Sequence, residues 1–144
     1  MARYAIVVAR FYEDLAERLE RGAREVLEAQ PDATIESFAV PGSYELPAAA
    51  MYAARSGRFR GVVCLGAVIR GETDHYEHVC ATAARGIAEV TLATGVPCGF
   101  GVLTVDSYEQ ALARSGGEKR NSGADAAHAV LDLAALRDGF AGGG

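Results

Sequence analysis

The sequence predicts an α/β fold: a four-stranded parallel sheet with helices on both faces, a three-layer α/β/α sandwich. Two observations predict it. Tyr4–Ala9, Gly61–Ile69 and Cys98–Val105 are apolar runs with almost no polar residue to break them. A strand exposed on one face alternates apolar and polar residues, whereas a strand covered on both faces does not. The second observation is order. Strand-like runs alternate with segments of helical period along the whole chain. Such β–α–β units need crossover connections, and crossovers lay helices on the sheet faces.

The elements follow in turn. Tyr4 to Ala9 is the first strand. Arg10-Phe11-Tyr12 leads into a helix from about Glu13 to Glu28, with Leu15, Leu19, Ala23 and Val26 as its inner stripe and a densely charged outer side. Pro31-Asp32 breaks it, and Thr34 to Val40 is the second strand. Pro41-Gly42 is a turn. Pro47 suits the first turn of a helix that runs to about Ala54 and stops at Ser56-Gly57. The third strand, Gly61 to Ile69, is followed by the loop Arg70-Gly71-Glu72-Thr73-Asp74. Thr73 or Asp74 is placed to cap the next helix, and Glu77 stands three residues after Asp74, as a capping box requires. Val79, Ala83, Ile87 and Val90 form that helix's apolar stripe, and Gly95-Val96-Pro97 ends it. After the fourth strand, Cys98 to Val105, Asp106 or Ser107 caps a short helix to Ala113. Gly116 to Gly123 is a polar connection, and a last helix runs from Ala124 to about Arg137, with Ala127, Val130, Leu131 and Ala134 inward. Gly142-Gly143-Gly144 is expected to be a disordered tail. Residues 1–144 are read as one domain, since no repeat or linker interrupts them.

Composition narrows the function. The net charge is −5, with acids and bases interspersed, which leaves no basic face for nucleic acid and no polybasic membrane patch. The N-terminal apolar run is too short for a signal peptide, and no stretch approaches the ~20 apolar residues of a membrane helix. Cys64, Cys80 and Cys98 lie in apolar stretches with no C-x-x-C among them, so buried, reduced thiols of a cytoplasmic protein are expected.

Phe11, Ser43 to Glu45 and Gly71 to His75 each sit just past a strand end, where open α/β sheets bind their ligands. His75 is the best proton-transfer candidate, since imidazole is the side chain best suited to moving protons in neutral solution. His75 and His78 could share a helix face, yet no third ligand has convincing spacing for a metal. Gly71-Glu72-Thr73 leads into a helix N-terminus, which either is simply capped or receives a phosphate, with Arg114 as the compensating charge. Arg70 reads as an ion-pair partner. Phe11 and Phe100 each read as core or as a stacking face for a heterocycle. Glu45 is either a helix-dipole contact or an acceptor for sugar hydroxyls.

Five motifs, in order along nearly the whole chain, resemble one enzyme family. They are A-R-F-x-E from Ala9, V-P-G-S-Y-E-L-P from Val40, G-x-V-I-R-G-x-T-x-H from Gly66, F-G-V-L-T from Phe100 and E-Q-A-L-A-R-S-G from Glu109. The chain is similar in these to the 6,7-dimethyl-8-ribityllumazine synthases, which make the immediate precursor of riboflavin. The resemblance implies a flavodoxin-like fold and no metal or organic cofactor. It also implies pentamers with active sites between subunits, extending in some cases to a 60-subunit shell, with riboflavin synthase as a partner. On that resemblance Phe11 stacks on the pyrimidine of 5-amino-6-(D-ribitylamino)uracil, and Ser43, Tyr44 and Glu45 contact the same substrate. Ala67, Val68 and Ile69 present backbone groups to the pyrimidine, and Phe100 closes its pocket. Glu72, Thr73 and Arg114 hold the phosphate of 3,4-dihydroxy-2-butanone 4-phosphate, and His75 moves protons. Three positions depart from the pattern. Only Met1 to Arg3 precede Tyr4, where the family usually has a short extra segment. Tyr12 stands where asparagine is common. Ser122 replaces a frequent lysine, with Lys119 or Arg120 as nearby substitutes. A non-catalytic flavin- or lumazine-binding protein, or a cage-forming one, on the same scaffold is the alternative reading.

Overall fold

A computed structural model describes residues 2–116 and 120–142. Its elements are β1 (Ala2–Ala9), α1 (Glu13–Glu28), β2 (Ala33–Val40), a 3₁₀ turn (Ser43–Glu45), α2 (Leu46–Arg55), β3 (Gly61–Ile69), α3 (His75–Thr94), β4 (Cys98–Val105), α4 (Tyr108–Arg114) and α5 (Ser122–Gly142). The four strands are all parallel, in the order β2-β1-β3-β4. The expected α/β/α sandwich with a flavodoxin-like sheet is therefore present.

The period-2 geometry of a strand divides the core into two layers. Tyr4, Ile6 and Val8 of β1, with Val63 and Leu65 of β3, pack beneath Leu15, Leu19 and Ala23 of α1 and Ala127 and Val130 of α5. The intervening residues Ala5, Val7, Val62 and Cys64 face Leu46 and Ala50 of α2 and Ile87 and Val90 of α3. β1 and β3 are buried on both sides, as their unbroken apolar runs require. β2 and β4 are edges, and β2 is correspondingly half-exposed.

Helices α1 and α5 approach closely at Gly123, where an added Cβ would collide with the Leu19 carbonyl. Asn121 fixes that contact. Its Nδ2 donates to the Arg18 carbonyl at 3.0 Å, and its Oδ1 accepts the Ala124 N–H at 3.0 Å. This cap starts α5 at Ser122, two residues before the expected Ala124, and the helix runs on through Gly142. Gly142 is thus helical rather than part of a tail, while Gly143 and Gly144 lie outside the described residues.

One cap differs from expectation. Asp74 precedes α3 but its side chain caps nothing, because its backbone (φ −71°, ψ −2°) is already helical rather than extended. Glu77 does not close a capping box either; its carboxylate accepts from Arg70 Nη1 at 2.8 Å. Thr73 supplies the cap, its Oγ1 accepting the His75 N–H at 3.3 Å. At α4 the Ser107 hydroxyl accepts from the Gln110 N–H, as expected.

Charge ties α1 to β2. Glu20 accepts from Arg10 at 2.6 Å and from the Ser37 hydroxyl at 2.7 Å, with Arg24 nearby. Partial burial is the largest single effect and pushes the Glu20 carboxyl up. The Ser37 hydrogen bond, Arg10 and Arg24 together outweigh it and hold the group below its ordinary value of 4.5. A depressed folded pKa contributes stability that is complete above the unfolded value and lost as pH falls through the folded one. The melting temperature should therefore fall as pH drops below about 4.5. Glu20→Gln should flatten that fall in a pH series of thermal melts; an unchanged slope would show that Glu20 does not contribute to it.

Candidate active site

A cavity of about 620 Å³ opens at the carboxyl ends of β1, β2 and β3. Its position follows from the topology. Parallel strands deliver every β-to-α loop to the same end of the sheet, and the ladder carries on one residue beyond the strands on both sides. The Arg10 N–H donates to Val40 O at 3.0 Å, and the Arg70 N–H to Val105 O at 2.9 Å. The segments after β1, β2 and β3 thus converge on one space.

Phe11 enters that space from the loop after β1. It is 74% exposed, so the core reading of this residue is overturned. Its ring meets Tyr12 edge to face, with centroids 4.9 Å apart and planes at 83°. Tyr12 itself is partly buried against the α1/α5 layer and anchors the pair. The loop after β2 adds Ser43, Tyr44 and Glu45. One Glu45 oxygen, Oε1, accepts the Gly42 N–H at 3.0 Å, which orients the carboxylate. Ser43 is buried, and its Oγ has no hydrogen-bond partner among the described residues. It lies against Gly66 of β3, where a Cβ would stand 2.6 Å from that oxygen. Glycine at 66 is what lets the serine sit so deep. Buried hydroxyls are nearly always paired in folded proteins, so one without a partner among the described residues is an exception, and it stands in a residue of the cavity wall.

β3 contributes Ala67, Val68 and Ile69, and α3 contributes His75. His75 is exposed, and the Thr73 hydroxyl holds its backbone N–H. Val79 lies one helical turn on and lines the same wall. Eight of the residues anticipated from sequence therefore share one cavity: Phe11, Ser43, Tyr44, Glu45, Ala67, Val68, Ile69 and His75. Tyr12, Gly42 and Val79 line it too and were not named as site residues. Val79 reads in sequence as the first member of a core stripe, and its four-residue spacing from His75 was the available signal.

The remaining residues lie elsewhere. Glu72 and Thr73 are exposed in the loop before α3 and do not line the cavity. Arg114 ends α4, beyond edge strand β4, and its Nη1 donates to Gln110 O at 3.2 Å, a contact within its own helix end. Phe100 is the third residue of β4, paired with Cys64 in mid-sheet, about 17 Å along the strand before its carboxyl end. It is 42% exposed. One chain thus gathers the pyrimidine-directed set without Phe100 and leaves the phosphate-directed set outside. Of the lysine substitutes, Arg120 pairs with Asp125 at 3.4 Å, Ser122 opens α5, and Lys119 lies outside the described residues.

Arg70 does not bind in the cavity. It bridges Glu77 at 2.8 Å and Asp106 at 2.9 Å and lies 4.3 Å over the Tyr76 ring, tying α3 to the end of β4. The thiols are not activated. Desolvation pushes Cys64 well up and Cys98 to about 11, and also raises Cys80, so all three stay protonated near neutrality. Cys64 alone is fully buried; Cys80 and Cys98 are half-buried. Among the described residues no group of three or more His, Cys, Asp or Glu side chains is gathered as a metal site. No helix among them is long and apolar enough to cross a membrane.

Comparison with known proteins agrees with this arrangement. The family model described as 6,7-dimethyl-8-ribityllumazine synthase matches residues 1–138. The 6,7-dimethyl-8-ribityllumazine synthase of Desulfatibacillum aliphaticivorans is 43% identical over 140 residues, covering 96% of this chain and 90% of that protein. With a whole-length match of this kind, the chain belongs to the 6,7-dimethyl-8-ribityllumazine synthase family.

Proposed function

We propose that the protein is a transferase of riboflavin biosynthesis. It condenses 5-amino-6-(D-ribitylamino)uracil with 3,4-dihydroxy-2-butanone 4-phosphate to 6,7-dimethyl-8-ribityllumazine, releasing phosphate and water. The observation that carries this reading is the cavity at the strand mouths. A flat aromatic face, an unpaired buried hydroxyl, an oriented carboxylate and an imidazole converge there, on a chain of this family.

The division of labour follows from the chemistry of each group. Phe11, braced by Tyr12, offers a face for the pyrimidine. The backbone of Ala67, Val68 and Ile69 reads the edge of that ring. Ser43 Oγ takes a polar group of the same substrate. Glu45 keeps Oε2 for the ribityl hydroxyls while Oε1 is held by Gly42. The amine attacks the ketone and water leaves to give an imine. Phosphate is then eliminated, the ribitylamino nitrogen closes the ring and a second water departs. These steps need positioning and proton transfer, and His75 at the cavity wall moves the protons.

Glu72, Thr73 and Arg114 hold the phosphate, and Phe100 closes the pyrimidine pocket, in an assembled protein. Since Arg114 and Phe100 stand outside this chain's own cavity, a neighbouring copy supplies such groups in our reading. Exposed apolar side chains support self-association: Tyr52 is 76% and Leu92 84% exposed, and edge strand β2 leaves Phe38 half-covered. In this reading the assembly is a pentamer; the 60-subunit shell and riboflavin synthase as partner are what the family resemblance adds to it. Reduced thiols fit a cytoplasmic setting.

Mixing the protein with both substrates should generate lumazine absorbance without added metal. His75→Ala should slow single turnover toward the low end of the ~10²–10⁴-fold range of acid–base groups, because water can relay protons. No product from the unaltered protein would refute the assignment, and an unchanged His75→Ala rate would remove His75 from the mechanism. Ser43→Ala should leave the melting temperature unchanged or higher, because an unpaired buried hydroxyl costs about 1–3 kcal/mol. It should also raise KM for the pyrimidine substrate by up to about tenfold. A lower melting temperature with unchanged KM would mean that Ser43 is purely structural. In sedimentation velocity at micromolar concentration the protein should run as a pentamer or larger; a fully active monomer would overturn the shared site.

A further inference from the structure

A second, wider basin of about 820 Å³ opens at the amino ends of the strands, the opposite end of the sheet from the candidate active site. Four guanidinium groups line it: Arg3 of β1, Arg58 and Arg60 before β3, and Arg137 of α5. Asp32 is the one carboxylate among its lining residues. On a chain with a net charge of −5, four guanidiniums against Asp32, Glu36 and Asp138 leave a local excess of positive charge in a concave wall, which draws counter-ions.

The pairing of these arginines leaves donors free. Arg58 uses Nη2 alone for both Glu36 oxygens, at 2.8 and 2.9 Å, and Arg3 uses Nη1 on the same carboxylate at 3.1 Å. Two guanidiniums therefore share one negative charge. Arg60 and Arg137 repeat the arrangement around Asp138: Arg60 pairs with it through Nη2, and Arg137 Nε stands 3.9 Å away while its Nη1 donates to Gly95 O. Arg58 also lies 4.8 Å over the Phe59 ring, which limits its freedom. The side chains stay 32–51% exposed, so their remaining N–H groups can meet a ligand from solvent. Each guanidinium is a planar fork that suits phosphate oxygens.

We propose that this basin is an anion site, distinct from the active site, for a small ligand bearing two phosphate groups, one directed to the Arg3/Arg58 pair and one to the Arg60/Arg137 pair. Two guanidiniums around one carboxylate leave each pair with one positive charge in excess, one for each phosphate group. The proposal does not depend on the enzymatic assignment.

Inorganic pyrophosphate is the probe, titrated calorimetrically into the assembled full-length protein at low salt. Binding is expected for the unaltered protein and for Arg114→Ala, which alters the proposed substrate-phosphate group instead. Replacing Arg58 and Arg137 together by glutamine should weaken it by about tenfold or more. Arg58→Gln alone, at a half-exposed surface position, keeps the test open if the double variant does not fold, and should weaken binding measurably. Arg58→Lys should retain more affinity than Arg58→Gln. Absence of binding to the unaltered protein would overturn the proposal. So would loss of binding in Arg114→Ala with indifference to the Arg58 and Arg137 changes, which would place the pyrophosphate in the active site.

Discussion

Burial of β1 and β3 on both faces is the constraint from which the rest follows. A side chain in the middle of either strand meets a helix layer whichever way it points, so Tyr4–Ala9 and Gly61–Ile69 can carry no charge and almost no polarity. Their polar groups are the backbone amides, and the parallel ladder satisfies them. Helical crossovers are then obligatory, and they return every connection of one type to the same end. Chemistry is excluded from the strands and concentrated where they stop. The cavity at the carboxyl ends and the arginine basin at the amino ends are two consequences of one layered core.

Close backbone approach sharpens the first of these. Gly66 lies inside β3, and its missing Cβ is what lets the loop after β2 lay Ser43 against the sheet. That leaves a desolvated hydroxyl with no partner among the described residues, in a residue that lines the candidate site. Gly123 does comparable work between α1 and α5, with a different result. There Asn121 satisfies both helices and no polar atom of its amide is left over.

Charge serves both structure and site. Arg70 stands next to the candidate catalytic loop but spends its donors on Glu77 and Asp106 and its face on Tyr76. By bracing the start of α3 against the end of β4, it positions the helix that carries His75 without touching the cavity. Arg114, on the far side of β4, has a carbonyl of its own helix as its one hydrogen-bond partner among the described residues. The first is thus fully engaged in structure, and the second is the one proposed above to meet a substrate phosphate.

What the sequence alone determined is the fold class and the eight residues that meet in one cavity, the candidate site. Unbroken apolar runs specified doubly covered strands, and their alternation with helical stripes specified a parallel sheet. The site residues legible in it were those lying within a few residues of a strand end: Phe11, Ser43 to Glu45, Ala67 to Ile69 and His75. Parallel topology sends such residues to one place whatever the details of packing. Tertiary structure decided the rest. Phe11 points out rather than into the core, because the chain turns immediately after Ala9. Asp74 does not cap, because its backbone is already helical, and Asn121 starts α5 early, because its amide also reaches Arg18. Val79 and Tyr12 join the cavity wall through helix orientation, which periodicity records only as buried or exposed. Phe100 and Arg114 fall outside the cavity because they belong to an edge strand and the helix after it. The four arginines of the amino-end basin, spread from residue 3 to residue 137, meet only when β1, the turn before β3 and α5 are packed together. Local pattern encodes which face is apolar; convergence of distant polar groups depends on how the layers stack.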